Sequence, residues 1–245
     1  MCDRYWTVGL HAHGGLAEQV VVPASCTLNL SGSLLTPDLA ALTQPMSIAV
    51  HATRRGRVAA GETVTVLGTG GIGTFITYAA AQAGAVVTAV DLDPAKLRVA
   101  ARLGASATID ASREEVQALP RTDVVFECTA RPESPALALG RVAENGRLVV
   151  VGHQPHPVTM DLKLVSMGER EVIGTMAHVF AADFPTAAAM IAADLGAWVE
   201  LAPIVLPLGQ VVESGLIPMA EGRAPQIKML FDPTLDEPRP LRIST

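Results

Sequence analysis

From residue 61 onward, short apolar runs rich in β-branched residues alternate with longer stretches whose apolar positions recur at helical spacing. This pattern predicts strands at Thr63–Leu67, Val86–Val90, Ala107–Ile109, Asp123–Glu127, Arg147–Val151 and Glu171–Gly174. Between them it predicts helices at Gly71–Ala83, Pro94–Leu103, Arg113–Leu119 and Glu133–Val142. Strand and helix in strict alternation imply an open α/β sheet, doubly wound, with parallel strands covered by helices on both faces. Local chemistry agrees at one helix: Asp93 can cap it, Pro94 suits its first turn and Gly104 stops it.

The flanks read differently. Gly15–Pro23 predicts a short extended segment ending at a proline, and Leu34–Thr53 a helical stretch around Leu39, Leu42, Met46 and Ile48. Phe180–Leu195 is alanine-rich and helical, Pro203 and Pro207 break up the next stretch, and Gln226–Phe231 predicts a last strand. The tail from Asp232, with three prolines and no apolar period, is expected to fray. The resulting division is 1–55 for an N-terminal portion with its connecting helix, 56–215 for the α/β domain, and 216–245 for a return strand and tail.

Gly68-Thr69-Gly70-Gly71-Ile72-Gly73 fits G-x-G-x-x-G, and its context gives the match weight. It follows the predicted strand VTVL, opens an apolar helix, and precedes a second strand that ends at Asp91. Gly68 allows the tight turn, Gly70 lets backbone approach a pyrophosphate, and Gly73 lets helix and strand pack closely. Phosphates would then meet the unpaired N–H groups at the positive end of the helix. Asp91 would accept hydrogen bonds from an adenosine ribose and repel a 2′-phosphate, which favours NAD over NADP. Lys96 is the nearby positive charge that weighs against that preference.

Composition narrows the function classes. Apolar residues make up 49% of the chain and charged ones 17%, a balance that suits a two-sided buried sheet. The net charge of −6 argues against a nucleic acid or an anionic membrane surface as partner. The one basic cluster, Arg54, Arg55 and Arg57, reads first as a solvated helix end and second as a phosphate grip. A small-molecule substrate is the better expectation. Cys2, Cys26 and Cys128 form no C-x-x-C pair, so a disulfide framework is not expected and a reducing, cytoplasmic setting is. The N-terminus shows neither a basic nor an apolar leader region. Residues 64–90 carry no charge, but their five glycines describe strand, turn and buried helix, not a membrane span.

With these motifs in place, the chain resembles the medium-chain dehydrogenase/reductase family, which includes zinc alcohol, sorbitol and threonine dehydrogenases. The likeness rests on GGLAEQVVVPA, AALTQPMSIAVHAT, GETVTVLGTGGIG, AVDLDPAKLRVAARLGA, DVVFECTA, GRLVVVG and QIKMLF. It implies a Rossmann domain plus a remnant of an N-terminal, β-rich GroES-like domain, most of which is missing. It further implies that Asp91 and Lys96 hold the ribose, that Cys128, Thr129 and Arg131 border the cofactor, and that Val151, Gly152 and His153 line the nicotinamide side. Lys228 stands where relatives often carry a basic residue near the pyrophosphate, and it reads equally as a solvated strand-end lysine. Pairing of two copies through the edge strand near Glu171–Gly174 is implied as well.

The resemblance also breaks. The cysteine and His-Glu pair of the zinc-bearing lobe are absent, and Gln44 before Pro45 replaces a glutamate that often serves as a ligand. His11 and His13 alternate at strand spacing but lack a third ligand, so no metal is expected. His51 and His153 are the candidate acid/base groups, each weighed against an ordinary structural histidine. An NAD(H)-dependent oxidoreductase working on an alcohol or carbonyl without zinc is the first expectation. A regulatory NAD-binding module, or a fragment or split enzyme whose catalytic lobe is separate, are the alternatives; a start at MCDR, just past where a cysteine lobe would end, suits the last.

Overall fold

The computed structural model describes residues 6–244. Along the chain run α1 (Pro37–Ala41), α2 (Thr43–Arg55), β1 (Thr63–Leu67), α3 (Gly73–Gln82), β2 (Val86–Asp91), α4 (Pro94–Arg102) and β3 (Ala107–Asp110). Then come β4 (Thr122–Glu127), α5 (Ser134–Gly140), β5 (Val142–Val150), α6 (Leu162–Met167), β6 (Glu171–Gly174) and α7 (Phe180–Ala193). The last elements are β7 (Ile204–Pro207), α8 (Ile217–Ala220), β8 (Leu230–Asp232) and β9 (Arg239–Pro240). They fall into two compact units, one spanning Leu42–Ala197 and the other made of the residues up to Ala41 and from Trp198 onward. Among the described residues, no helix is long and apolar enough to cross a membrane.

The Leu42–Ala197 unit holds a six-stranded sheet in the order β3-β2-β1-β4-β5-β6, with every pairing parallel. Strands covered on both faces need apolar residues at successive positions, which is why β1 reads TVTVL and is buried from Val64 to Leu67. The order reverses direction between β1 and β4. Loops leaving the carboxyl ends of these two neighbours diverge to opposite faces, and the crevice between them is where ligands bind in such sheets. Helix α3 is buried from Gly73 through Ala80, and α2 packs against α3 and α7. At α4 the side chain of Asp93 accepts from the N–H of Ala95 at 2.8 Å, with Pro94 in the first turn, as its sequence predicts.

Several elements differ from the sequence expectation. The stretch 34–53 is two helices because Pro45 has no N–H to give the carbonyl of Ala41 and its ring crowds that carbonyl. The helix expected at Arg113–Leu119 is a single 3-10 turn, Val116–Ala118, cut short ahead of Pro120, which disfavours helical backbone at Leu119. Strand β5 begins at Val142, earlier than expected, through a register shift against β4.

In the other unit, Gly15–Pro23 forms no strand: it has no ladder partner, and Val21 is 95% exposed. The tail is not frayed. Arg239 reaches Asp38 with both terminal nitrogens, at 2.6 and 2.9 Å, and Asp232 at 3.0 Å, while β9 pairs antiparallel with β7. Burial alone would raise the Asp38 carboxyl, but the Arg239 hydrogen bonds and the N–H of Arg242 together pull it below its usual value. Arg239 is pushed up chiefly by its hydrogen bond to Asp38. Cys2 lies outside the described residues.

Candidate functional site

The glycine-rich turn sits at the carboxyl end of β1. Gly68 adopts φ +88°, a left-handed conformation that glycine alone takes readily, and its N–H donates to Val90 O at 2.8 Å. A Cβ at Gly73 would penetrate the carbonyl oxygen of Gly68 and lie 2.9 Å from the carbonyl carbon, so helix α3 can approach the turn only through a glycine here. A Cβ at Gly70 would meet nothing within 4 Å; its face of the turn is open. Gly71 and Ile72 are half-buried, and Ile72 precedes α3 with no side-chain cap, while the Thr74 N–H donates back to Gly70 O at 3.1 Å, so the positive end of the helix abuts the glycine turn.

Thr69 is fully buried and ties the turn to β2. Its N–H and hydroxyl donate to Asp91 Oδ2, at 2.7 and 3.2 Å, and Asp91 Oδ1 accepts from the Asp93 N–H at 3.0 Å. The carboxylate is thus oriented at the strand end while still partly exposed. Lys96 is half-buried in the first turn of α4.

After β4, Glu127 organises two loops at once. Its side chain is fully buried, and Oε1 accepts from the N–H and hydroxyl of Thr129, both at 2.7 Å, and from the N–H of Ala130 at 3.2 Å. Its carbonyl accepts from the N–H groups of Val151 and Gly152, both at 2.9 Å. A Cβ at Gly152 would lie 2.6 Å from Glu127 Oε2 and 2.6 Å from Ala130 N, so the two loops meet at a point only glycine fits. Burial, with Glu127 beside it, pushes the Cys128 thiol well up, which makes it a poor nucleophile. Arg131 is exposed and faces Glu133 at 3.6 Å.

Ile72, Cys128, Val151, Gly152 and His153 come together around one cleft of about 360 Å³, with Ile48 of α2 and the post-β6 residues Thr175, Met176 and Ala177 completing the wall. The last four were not read from the sequence, and neither was Glu127. An acid closing the apolar run DVVFE was the available signal for Glu127; nothing local marked Thr175–Ala177. His51 does not line the cleft. It sits one turn beyond Ile48, with Nδ1 2.9 Å from Asp183 Oδ2 and 3.3 Å from Arg54 Nη2. His178, next to Ala177, is pushed down by burial, against the pull of Asp183 and with the help of His51.

Lys228 belongs to the other unit, where it is half-buried and burial lowers its ammonium. His11 accepts from the Thr7 N–H at 3.2 Å, and His13 is exposed. Among the described residues, no three His, Cys, Asp or Glu side chains converge to hold a metal ion, and Gln44 is exposed.

Comparison with known proteins places these features in context. The profile of the zinc-binding dehydrogenase family matches residues 71–193. L-threonine 3-dehydrogenase of Bacillus subtilis is 32% identical over 170 residues, covering 66% of this chain and 48% of the relative. Sorbitol dehydrogenase of Arabidopsis thaliana is 31% identical over 179 residues, covering 68% of this chain and 49% of the relative. The chain thus spans about half the length of the curated relatives it matches. Among solved structures, a zinc-binding dehydrogenase of Sinorhizobium meliloti 1021 bound to NADP superposes with a TM-score of 0.84 at 27% identity, covering 95% of this chain and 70% of that one. The zinc that the family's description implies finds no fitting donor set among the described residues.

Proposed function

Because the chain belongs to the zinc-binding dehydrogenase family, we propose that it binds NAD(H) and serves an oxidoreductase acting on an alcohol or carbonyl substrate without a zinc ion of its own. The observation that carries this reading is the glycine turn: Gly73 is closed by contact with Gly68, whereas the face at Gly70 is open where a pyrophosphate would lie. A bound nicotinamide would supply the two-electron chemistry. The chain's own residues hold and orient it. The glycine turn and the positive N-terminal end of α3 would take the phosphates and Asp91 the adenosine ribose, and Cys128, Val151 and Gly152 would flank the ring.

Asp91 supports NAD over NADP, since its carboxylate at the strand end would repel a 2′-phosphate. The Sinorhizobium structure is bound to NADP, and paired NADH and NADPH titrations of this chain test the preference. His153, exposed at the cleft, is the candidate proton carrier; His51 would act only through a relay, because it faces Asp183. The open edge of β6, with Val172 44% exposed, supports pairing of two copies, and light scattering tests it.

A second reading, cofactor binding without turnover, is favoured by the cleft itself: among its described lining residues only His153 offers an acid/base group, Cys128 being held as a thiol. NADH fluorescence titration combined with turnover on a panel of alcohols and carbonyls decides between them. Saturable NADH binding with turnover supports the enzyme, binding without turnover supports the module, and no binding at millimolar NADH refutes both.

A further inference from the structure

From Thr175 to Val179 the chain crosses between β6 and α7, and three of these residues, Thr175, Met176 and Ala177, wall the cleft. Side chains fix this strap at both ends. At its start, Arg55 donates through Nε and Nη2 to Gly174 O, at 3.3 and 3.2 Å. At its finish, Asp183 Oδ2 accepts from the Val179 N–H at 2.6 Å. Asp183 is 1% exposed, and the same carboxylate meets His51 Nδ1 at 2.9 Å and Arg54 at 3.0 and 3.2 Å.

All three of these partners, His51, Arg54 and Arg55, lie on α2, the helix that also sends Ile48 into the cleft. Between the two anchors Ala177 adopts φ +50°, a left-handed conformation that an alanine holds only where its surroundings over-determine it. The strap is therefore kept in place against its own preference. A buried carboxylate that gathers two side-chain donors from one helix and one backbone donor from the strap is the joint between them.

We propose that Asp183 is a positioning residue for the nicotinamide half of the cofactor: joined to His51 and Arg54, it holds the strap Thr175–Val179 in the shape that closes the cleft wall. This rests on the reading of the cleft as the nicotinamide site. The adenosine half, which would be gripped by the glycine turn and Asp91, is independent of the joint. Loss of the joint should therefore weaken NADH and spare ADP-ribose, which lacks the nicotinamide.

The test is calorimetric titration of the full chain with NADH and with ADP-ribose, for wild type, Asp183→Asn, Arg55→Ala and Arg55→Lys. In Asp183→Asn, NADH affinity should fall on the order of tenfold while ADP-ribose stays within about twofold. Arg55 is exposed, so Arg55→Ala carries the test if the buried substitution does not fold; it should show a smaller loss of the same selective kind, restored in part by Arg55→Lys. Equal losses for both ligands, or no change in either, overturn the positioning role while leaving the cofactor reading intact. Failure of the wild-type chain to bind either ligand overturns the cofactor reading itself.

Discussion

Two glycines of one turn, three residues apart, should respond to the same methyl group in opposite ways. At Gly73 the added Cβ would enter the Gly68 carbonyl, 2.9 Å from its carbon and 3.4 Å from the Cys128 Cβ, against an ordinary carbon–carbon contact of about 3.5–4 Å. Both obstacles are fixed by β1 and by the loop after β4, so helix α3 must move outward. Overpacking of this kind costs about 1–3 kcal/mol, and at about 2–4 °C per kcal/mol the melting temperature of Gly73→Ala should fall by several degrees.

At Gly70 the methyl meets nothing within 4 Å, and the backbone is not in the left-handed region. Gly70→Ala should therefore be neutral or stabilised by about 0.5 kcal/mol, because alanine restricts the unfolded chain. The methyl would nonetheless occupy the space proposed for the pyrophosphate, and losing charge-assisted hydrogen bonds there should weaken NADH by about 10- to 100-fold. Circular dichroism melts and NADH fluorescence titration read the two effects separately. Wild-type NADH affinity in Gly70→Ala would refute the phosphate cradle, and an unchanged melting temperature in Gly73→Ala would refute the packing argument.

Asp91→Ala should lower NADH affinity about tenfold and bring NADPH closer to it, because the ribose acceptor and the charge opposing a 2′-phosphate leave together; paired titrations check this. Gly152→Ala drives a methyl against Glu127 and the Ala130 N–H and should cost about 1–3 kcal/mol by denaturant unfolding. Asp38→Asn should cost about 2 kcal/mol at neutral pH, the scale of hydrogen bonds to a charged group. Because the folded Asp38 carboxyl lies below its reference value of 3.8, that contribution is present above about pH 4 and disappears as the pH falls through the folded value, so wild type and variant should converge in acid.

The part of the site legible in the sequence is the part encoded locally. Gly68, Gly70 and Gly73 constrain backbone within a single turn, and Asp91 ends the next strand, so spacing alone connects them. Glu127 escaped notice because its job is to bind backbone N–H groups of the loops after β4 and β5, donors that every residue carries and no sequence displays. Asp183 lies 132 residues from His51, and its sequence signal was only a charge in an alanine-rich helix. The break at Leu42 was readable in principle from Pro45, but the apolar period runs across it. Arg239 looked like part of a proline-rich tail; its partner Asp38 is 201 positions away, and only the folded chain brings them together.

A sheet whose six strands all point one way gathers every ligand-facing loop on a single rim and leaves the other rim without chemical duty. The exposed bulge at Glu144–Asn145 inside β5, where Asn145 takes φ +60° between the Thr122–Val142 and Val124–Arg147 pairings, belongs to that idle rim. A fluorophore or an affinity handle grafted there would report on the protein without disturbing what it holds.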